Sequence, residues 1–312
     1  AQSTVIFAEG DDIRVLRAAV LYQRSGLGKA LVVGRENDIA EKLIAEGMSD
    51  AVGELAIVNA ANTPHLDTYK DFLYDRLQRK GMDHHDVHRL ASRDRHVFAS
   101  LMLAHGHADG MVTGATRKSA HVLELINHVF DAQPHDGAVG VTALLHKGKI
   151  VLITDTLVHE WPDHEDLADI AERGASVARD LGLEPRVAFV SFSTFGYPIS
   201  ERAEKMHKAP MVLDARGVDF EYEGEMAVDV ALNMTAMERY PFSRLTGPAN
   251  VLVVPARHSA SISVKLMQEM AGATVIGPIL SGVGKPMQIC GTGSTVNDIL
   301  NMAVIAACKV GQ

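Results

Sequence analysis

Short apolar runs alternate with longer amphipathic stretches along the whole chain, and this alternation constrains the fold more than any other feature. Runs at 4–8, 30–33, 55–58, 110–113, 139–145, 150–154, 186–192, 219–222, 250–255, 274–279 and 286–290 read as strands. Between most of them lie stretches of helical period. In 11–24, Ile13, Leu16, Val20 and Leu21 form one stripe with Arg17 as its polar exception; 164–180, 200–214, 258–270 and 295–309 read similarly. Strand, helix and strand in alternation predict an α/β fold with mostly parallel sheets. Ligands of such sheets sit beyond the carboxyl ends of the strands.

Length and composition narrow the function. At roughly 100–200 residues per domain, 312 residues predict two domains. The turn-forming run DAQPHDG at 131–137, followed by two closely spaced strands, marks a division near 137. A net charge of −9 argues against a general nucleic-acid binder, which needs a basic surface to displace counterions. Two cysteines, Cys290 and Cys308, make no disulfide framework and predict a reducing, cytoplasmic setting. No apolar run reaches the ~18 residues of a membrane span, and no signal peptide is evident. The chain starts at Ala1 and enters a strand almost at once, as a piece of a longer protein would.

Several familiar motifs fail on spacing. Gly282, Gly284 and Lys285 resemble the end of a phosphate loop, but its first glycine falls on Ile279 and Pro286 replaces the Mg²⁺-holding hydroxyl. Gly26 with Gly28, and Gly291 with Gly293, each begin a dinucleotide fingerprint whose third glycine falls on Leu31 or Val296. His84 and His88 have metal-ligand spacing on a helix, yet Asp86 is the only acid between them; a solvated polar face is the better reading, and no metal site is assigned. His105 and His107 flank Gly106 at a helix end, where a cap suffices. Ser191, Ser193, Thr194 and Gly196 end a strand in hydroxyls and a glycine, fit either for a ligand or for a turn.

The segment 274–300, TVIGPILSGVGKPMQICGTGSTVNDIL, carries the most chemistry. A strand ends at Gly277-Pro278. A second leads into Gly291-Thr292-Gly293-Ser294-Thr295 at the mouth of a helix, where glycines and unpaired amides make an anion site. Asp298 in the first turn is either a capping partner of Thr295 or a general base at that site.

With AEGDDIRVLRAA at 8–19, ADGMVTGATRKSA at 108–120, ITDTLVHEWPDHEDLADIA at 153–171, FVSFSTFG at 189–196, FEYEGEMAVDVAL at 220–232 and GPANVLVVPARHSASISVKLMQ at 247–268, this segment resembles the phosphate acetyltransferase (phosphotransacetylase) family through nearly the whole chain. STFGYPISERAEKM and YPFSRLTGPANVLVVP are most similar to the phosphotransacetylase-like C-terminal domain of bacterial hybrid NADP-dependent malic enzymes. The resemblance implies two three-layer α/β/α domains, 1–137 plus 282–312 and 138–281, with an interdomain cleft. It also implies a homodimer, or a larger oligomer, built largely through the second domain and joined to an N-terminal malic-enzyme module. It implies neither nucleic-acid nor membrane partners, and no cofactor in this domain; NADP and a divalent metal belong to the absent module. Acetyl-CoA or CoA is the implied ligand. Candidate contacts are Thr113, Gly114, Arg117, Ser193, Thr194, Gly277, Pro278, Gly291, Thr292 and Ser294.

The family reaction moves an acetyl group from acetyl phosphate to the CoA thiol. It needs a base, cations on the phosphate and an aligned cleft. Asp298 matches the base. The family's Ser-Arg pair matches Gly291 and Thr292, a second arginine matches Glu124, and a third matches Leu77, with Arg76 and Arg79 close by; Arg117, Arg244 or Arg257 could compensate. The expectation is therefore a regulatory domain that binds acetyl-CoA and has lost acetyl transfer. The alternatives are an active phosphate acetyltransferase with Asp298 as catalytic base, and a degenerate oligomerisation scaffold.

Overall fold

A computed structural model describes residues 3–130 and 137–311. The expected division at 131–137 falls, up to residue 136, outside the described residues. The strands are β1 (Thr4–Phe7), β2 (Lys29–Val33), β3 (Ala56–Val58), β4 (Gly110–Thr113), β5 (Val139–His146), β6 (Lys149–Thr154), β7 (Arg186–Val190), β8 (Glu221–Met226), β9 (Val251–Val253), β10 (Thr274–Ser281) and β11 (Met287–Ile289). Each overlaps one of the apolar runs. The chain divides into two compact units: residues 1–132 with 283–310 and 312, and residues 133–282 with 311.

The first unit holds a five-stranded sheet of order β11-β4-β1-β2-β3, parallel throughout. From β1 to β3 the chain steps one way across the sheet; from β3 to β4 it returns past β1. Right-handed crossovers therefore place the helices of the two excursions on opposite faces, and the reversal lies between β1 and β4. The helices Ile13–Arg24 and Val296–Ala307 pack on each other and on the sheet. The buried face of the first is Val15, Leu16, Ala18, Ala19, Val20 and Tyr22, so the expected stripe is corrected: Leu21 is exposed, and Arg17 reaches out to Glu46. Arg95–Ala104 and Ser119–Ile126 also pack together, the former on β1 and β4 and the latter on β11.

The second unit holds a six-stranded sheet of order β10-β5-β6-β9-β7-β8. Its β6, β9, β7 and β8 run parallel, whereas β5 joins β6 as an antiparallel hairpin and β10 pairs antiparallel with β5. The helices His164–Asp180 and Glu201–Arg216 pack on each other and on this sheet. Arg257–Ala271, Val228–Leu232 and Met234–Met237 follow the reversal from β8 to β9 and lie beside a second apolar layer that includes Leu144, Ile153, Val190, Leu252 and Val254. The strand expected to end at Gly277-Pro278 instead continues to Ser281 through a bulge between Ile276 and Ile279. An edge strand tolerates both residues: a bulge accommodates the glycine, and proline's missing N–H leaves no ladder bond broken.

A buried acid organises the end of β6. Asp155 is 2% exposed and accepts from the amides of Gly140 (2.9 Å), Leu157 (2.7 Å) and His159 (2.7 Å), and from His159 Nδ1 (2.7 Å). That last bond raises the His159 pKa above its ordinary value, against the opposing effect of burial. A raised folded pKa contributes stability that is complete below the unfolded value of about 6.5 and disappears as pH climbs through the folded one. Urea midpoints of the wild type and His159→Gln should therefore differ most at pH 5 and converge above neutrality. A pH-independent gap would contradict the charged pair.

Candidate functional site

In the first unit the carboxyl ends of β1, β4 and β11 carry the candidate residues, at the reversal where ligands of such sheets bind. Glu9, two residues beyond β1, is 1% exposed and accepts from the amides of Ala115 and Thr116 (both 2.8 Å) and from the Thr116 hydroxyl (2.5 Å). It fixes the loop after Thr113. The Thr113 hydroxyl meets Nδ1 of the fully buried His96 (2.6 Å), whose pKa burial pushes down. Gly114 has φ +98°, and a side chain there would meet the Cys290 carbonyl oxygen at 2.6 Å. The loops after β4 and β11 are thus in direct contact. Burial, with Glu9 and Asp298 nearby, raises the pKa of the Cys290 thiol far above its ordinary value; a neutral thiol is no nucleophile.

Arg14 joins the loops. Its Nη1 donates to the carbonyl oxygens of Thr292 and Ser294 (both 2.9 Å), and Nη2 to that of Ala115 (2.9 Å). Nε and Nη2 also hold Asp12, at 3.1 and 2.8 Å. All five guanidinium N–H groups are in use. Sequence reasoning passed over both Glu9 and Arg14, although AEGDDIR places an acid and an arginine five apart just beyond a strand.

The Gly291 loop closes on itself. The Gly291 amide donates to the Ser294 hydroxyl (3.0 Å), and the Ser294 amide returns to the Gly291 carbonyl (3.0 Å). Asp298 completes a capping box: its Oδ2 accepts from the Thr295 amide and hydroxyl (both 2.8 Å), and its own amide donates to Thr295 Oγ1 (3.2 Å). Of the amides expected to be open, those of Thr292 and Gly293 have no acceptor among the described residues; the others in this turn are engaged.

The proposed compensating arginines are committed elsewhere. Arg117 pairs with Asp94 (2.8 Å), which also caps the helix Arg95–Ala104, and Arg95 pairs with Asp11. In the second unit Arg244 pairs with Asp214 (2.5 Å) and lies over the Tyr222 ring, while Arg257 donates to the Leu157 carbonyl (3.2 Å) and pairs with Glu160 (3.6 Å). Glu124 is exposed on the helix Ser119–Ile126, beside His121. Leu77 is a core residue at 1% exposure, and Arg76 donates to the His128 carbonyl (3.3 Å).

The second-unit candidates lie on strands that are not neighbours. Ser193 follows β7 and is fully buried, with its hydroxyl on Ser191 (3.3 Å); Thr194 accepts from the Ala227 amide (3.1 Å) and bridges to Tyr197. Gly277 and Pro278 form the bulge of β10, at the far edge of the sheet. Among the described residues, the one group of three potential metal ligands is Asp83, His85 and Asp86; Asp83 is already the cap of the helix His84–Arg93, and His84 stacks on Tyr74. His105 caps its helix as expected, with Nδ1 donating to the Leu101 carbonyl (2.8 Å).

Residues 1–307 match the family of phosphate acetyl/butaryl transferases. The chain belongs to this family. Among family relatives, the NADP-dependent malic enzyme of Rhizobium meliloti is 49% identical over 307 residues, covering 98% of this chain and 40% of that enzyme. The phosphate acetyltransferase of Clostridium acetobutylicum is 32% identical over 320 residues, covering 98% of this chain and 93% of that enzyme. A phosphotransacetylase from Streptococcus pyogenes superposes with a TM-score of 0.91 at 28% identity, over 99% of this chain and 94% of the other. The chain thus spans about two fifths of the length of the malic enzymes it matches. The α/β fold with mostly parallel sheets is the family's, and no helix among the described residues is long and apolar enough to cross a membrane.

Proposed function

We propose that this chain is the regulatory, phosphotransacetylase-like portion of an NADP-dependent malic enzyme, that it binds acetyl-CoA or CoA, and that it transfers little or no acetyl group. The parent activity would be oxidative decarboxylation of malate to pyruvate in the cytoplasm, with NADP and a divalent metal held in the other module. In the first unit the ligand would draw on Arg117, Gly291, Thr292 and Ser294, while the buried Thr113 and Gly114 would act only by shaping the loop beneath them. Thr194, Gly277 and Pro278 are the exposed or half-buried candidates of the second, and Ser193 would act only from beneath its turn.

One observation carries the reading. The places that the family resemblance fills with a Ser-Arg pair and two further arginines hold Gly291 and Thr292, the exposed Glu124 and the buried Leu77. Acyl-phosphate chemistry needs those cations, whereas a CoA thioester can be held by backbone amides, hydroxyls and apolar walls. Calorimetry tests the reading. Saturable binding of acetyl-CoA is expected, and its absence, for CoA as well, would remove the proposal. The alternative, an active phosphate acetyltransferase, draws support from near full-length similarity to the Clostridium enzyme and from Asp298 at the base position.

A homodimer through the second unit is part of the same proposal. There an apolar cavity of about 410 Å³ opens over β5, β6 and β9, beside the helix Arg257–Ala271. On that helix Ile262, Leu266 and Met270 are more than half exposed at a four-residue spacing. A ridge beside its own groove suits two-fold pairing. Sedimentation equilibrium should give twice the chain mass, and a monomer at micromolar concentration would count against it.

A further inference from the structure

The second unit holds a pairing that the acetyl-CoA reading leaves unused. Glu225, in β8, is 1% exposed. Its Oε1 accepts from the amide of Gly196 (2.8 Å), in the turn after β7, and its Oε2 from Nδ1 of His207 (2.9 Å), on the helix Glu201–Arg216. A carboxylate has no proton to give, so Nδ1 carries the hydrogen and a neutral ring keeps its lone pair on Nε2. Nε2 has no partner among the described residues, and nearly half of the side chain is exposed. Ring and carboxylate both line a cavity of about 190 Å³, whose other walls include Pro198, Ile199, Ser200 and Ala203. The Asp155–His159 pair is built differently: there the carboxylate is committed to the amides of Gly140, Leu157 and His159, and the pair holds a loop.

The walls select the substrate. Glu204 and Glu225 repel an anion, and Pro198, Ile199 and Ala203 offer apolar contact. The volume lies below the roughly 300 Å³ at which pockets for drug-sized ligands begin. A small neutral acyl compound meets all three conditions. We propose that His207 is the general base of a short-chain ester hydrolase site in the second unit, with Glu225 as its positioning residue. Nε2 takes a proton from water as the water oxygen bonds to the ester carbonyl carbon. The C–O bond to the alcohol then breaks, and the proton passes from Nε2 to the departing oxygen, which leaves acid and alcohol. Glu225 stays ionised and compensates the transient imidazolium. The Ser200 hydroxyl, which does not cap its helix, borders the cavity as a donor for the carbonyl oxygen. The site requires nothing of acetyl-CoA and stands apart from the functional reading above.

The probe is p-nitrophenyl acetate, with nitrophenolate release by the purified chain followed against buffer. Saturable hydrolysis is expected. His207→Ala should lower kcat by about 10²-fold or more, the range of one positioned base, and added imidazole should restore part of it. Glu225→Gln should lower kcat at unchanged KM. Its amide oxygen keeps the Gly196 bond, which turns the NH₂ group onto Nδ1 and moves the ring hydrogen to Nε2. His121→Ala, whose ring pairs with Glu124 (3.4 Å) on the surface of the first unit, should leave the rate unchanged. Should Glu225→Gln fail to fold, the half-exposed His207 decides through its own variant. No saturable hydrolysis by the wild type, or a rate retained in His207→Ala, overturns the inference and leaves acetyl-CoA binding untouched. Absence of acetyl-CoA binding beside a His207-dependent hydrolysis overturns the functional reading and leaves the inference standing.

Discussion

Given acetyl phosphate and CoA, this chain will form acetyl-CoA at least about 10⁴-fold more slowly than a phosphate acetyltransferase such as the Clostridium relative, by the cost of absent charge stabilisers. Each preorganised donor or cation facing the developing charge is worth roughly 3–4 kcal/mol, or 10²–10³ in rate. The Ser-Arg pair alone covers two such losses. The positions held by Glu124 and Leu77 add two further losses, so a factor of about 10⁴ does not require all four to add in full. The nearby guanidinium groups do not repair the deficit: Arg14 is saturated by the loop carbonyls and Asp12, and Arg117 and Arg95 are bound to Asp94 and Asp11. A coupled thioester assay on purified protein measures this directly. Turnover within tenfold of the relative, abolished by Asp298→Asn, would instead establish the active transferase.

The second large effect is on stability. Gly114→Ala should destabilise the protein by about 4 kcal/mol, the sum of a strained left-handed residue at roughly 1–3 kcal/mol and an overpacked contact at roughly 1–3 kcal/mol. Both causes are present. The backbone angle of +98° is one that alanine rarely adopts, and the new methyl would lie 2.6 Å from the Cys290 oxygen and 2.8 Å from Ile289 Cγ2. Neither obstacle is the free end of a flexible side chain. Against a total stability of about 5–15 kcal/mol the loss is a large fraction. A thermal scan should show the melting temperature falling by roughly 10 °C; a fall under about 2 °C would mean that the two loops are less tightly joined than described.

The strands were the most legible part of the sequence, because most are short apolar runs such as ALVV before Gly34, GMVT before Gly114 and IVLIT before Asp155; β8, EYEGEM, is the exception. The parallel first sheet followed from the alternation. The mixed character of the second was visible only as the close spacing of β5 and β6, since the length of a connection, not its composition, separates hairpin from crossover. Gly277-Pro278 misled because the pair normally interrupts a ladder, and sequence alone does not say that the strand lies at an edge. The site was half legible. The glycine-rich turns and the capping pair of Thr295 and Asp298 could be read locally. The roles of Glu9 and Arg14 could not, because their partners lie about a hundred and about 280 residues away in the chain. Arg14 in isolation reads as an ordinary helix-start arginine beside its own Asp12.

The excursion of residues 283–310 back to the first unit sets an order of events during synthesis. Residues 133–282 form one contiguous block and can close as soon as they leave the ribosome, but the earlier block must wait with the flank of β4 uncovered until β11 arrives. The glycine turn that Arg14 gathers therefore joins the first sheet only after the whole block 133–282 has been made, and a chain cut at residue 282 would lack the strand that covers the flank of β4.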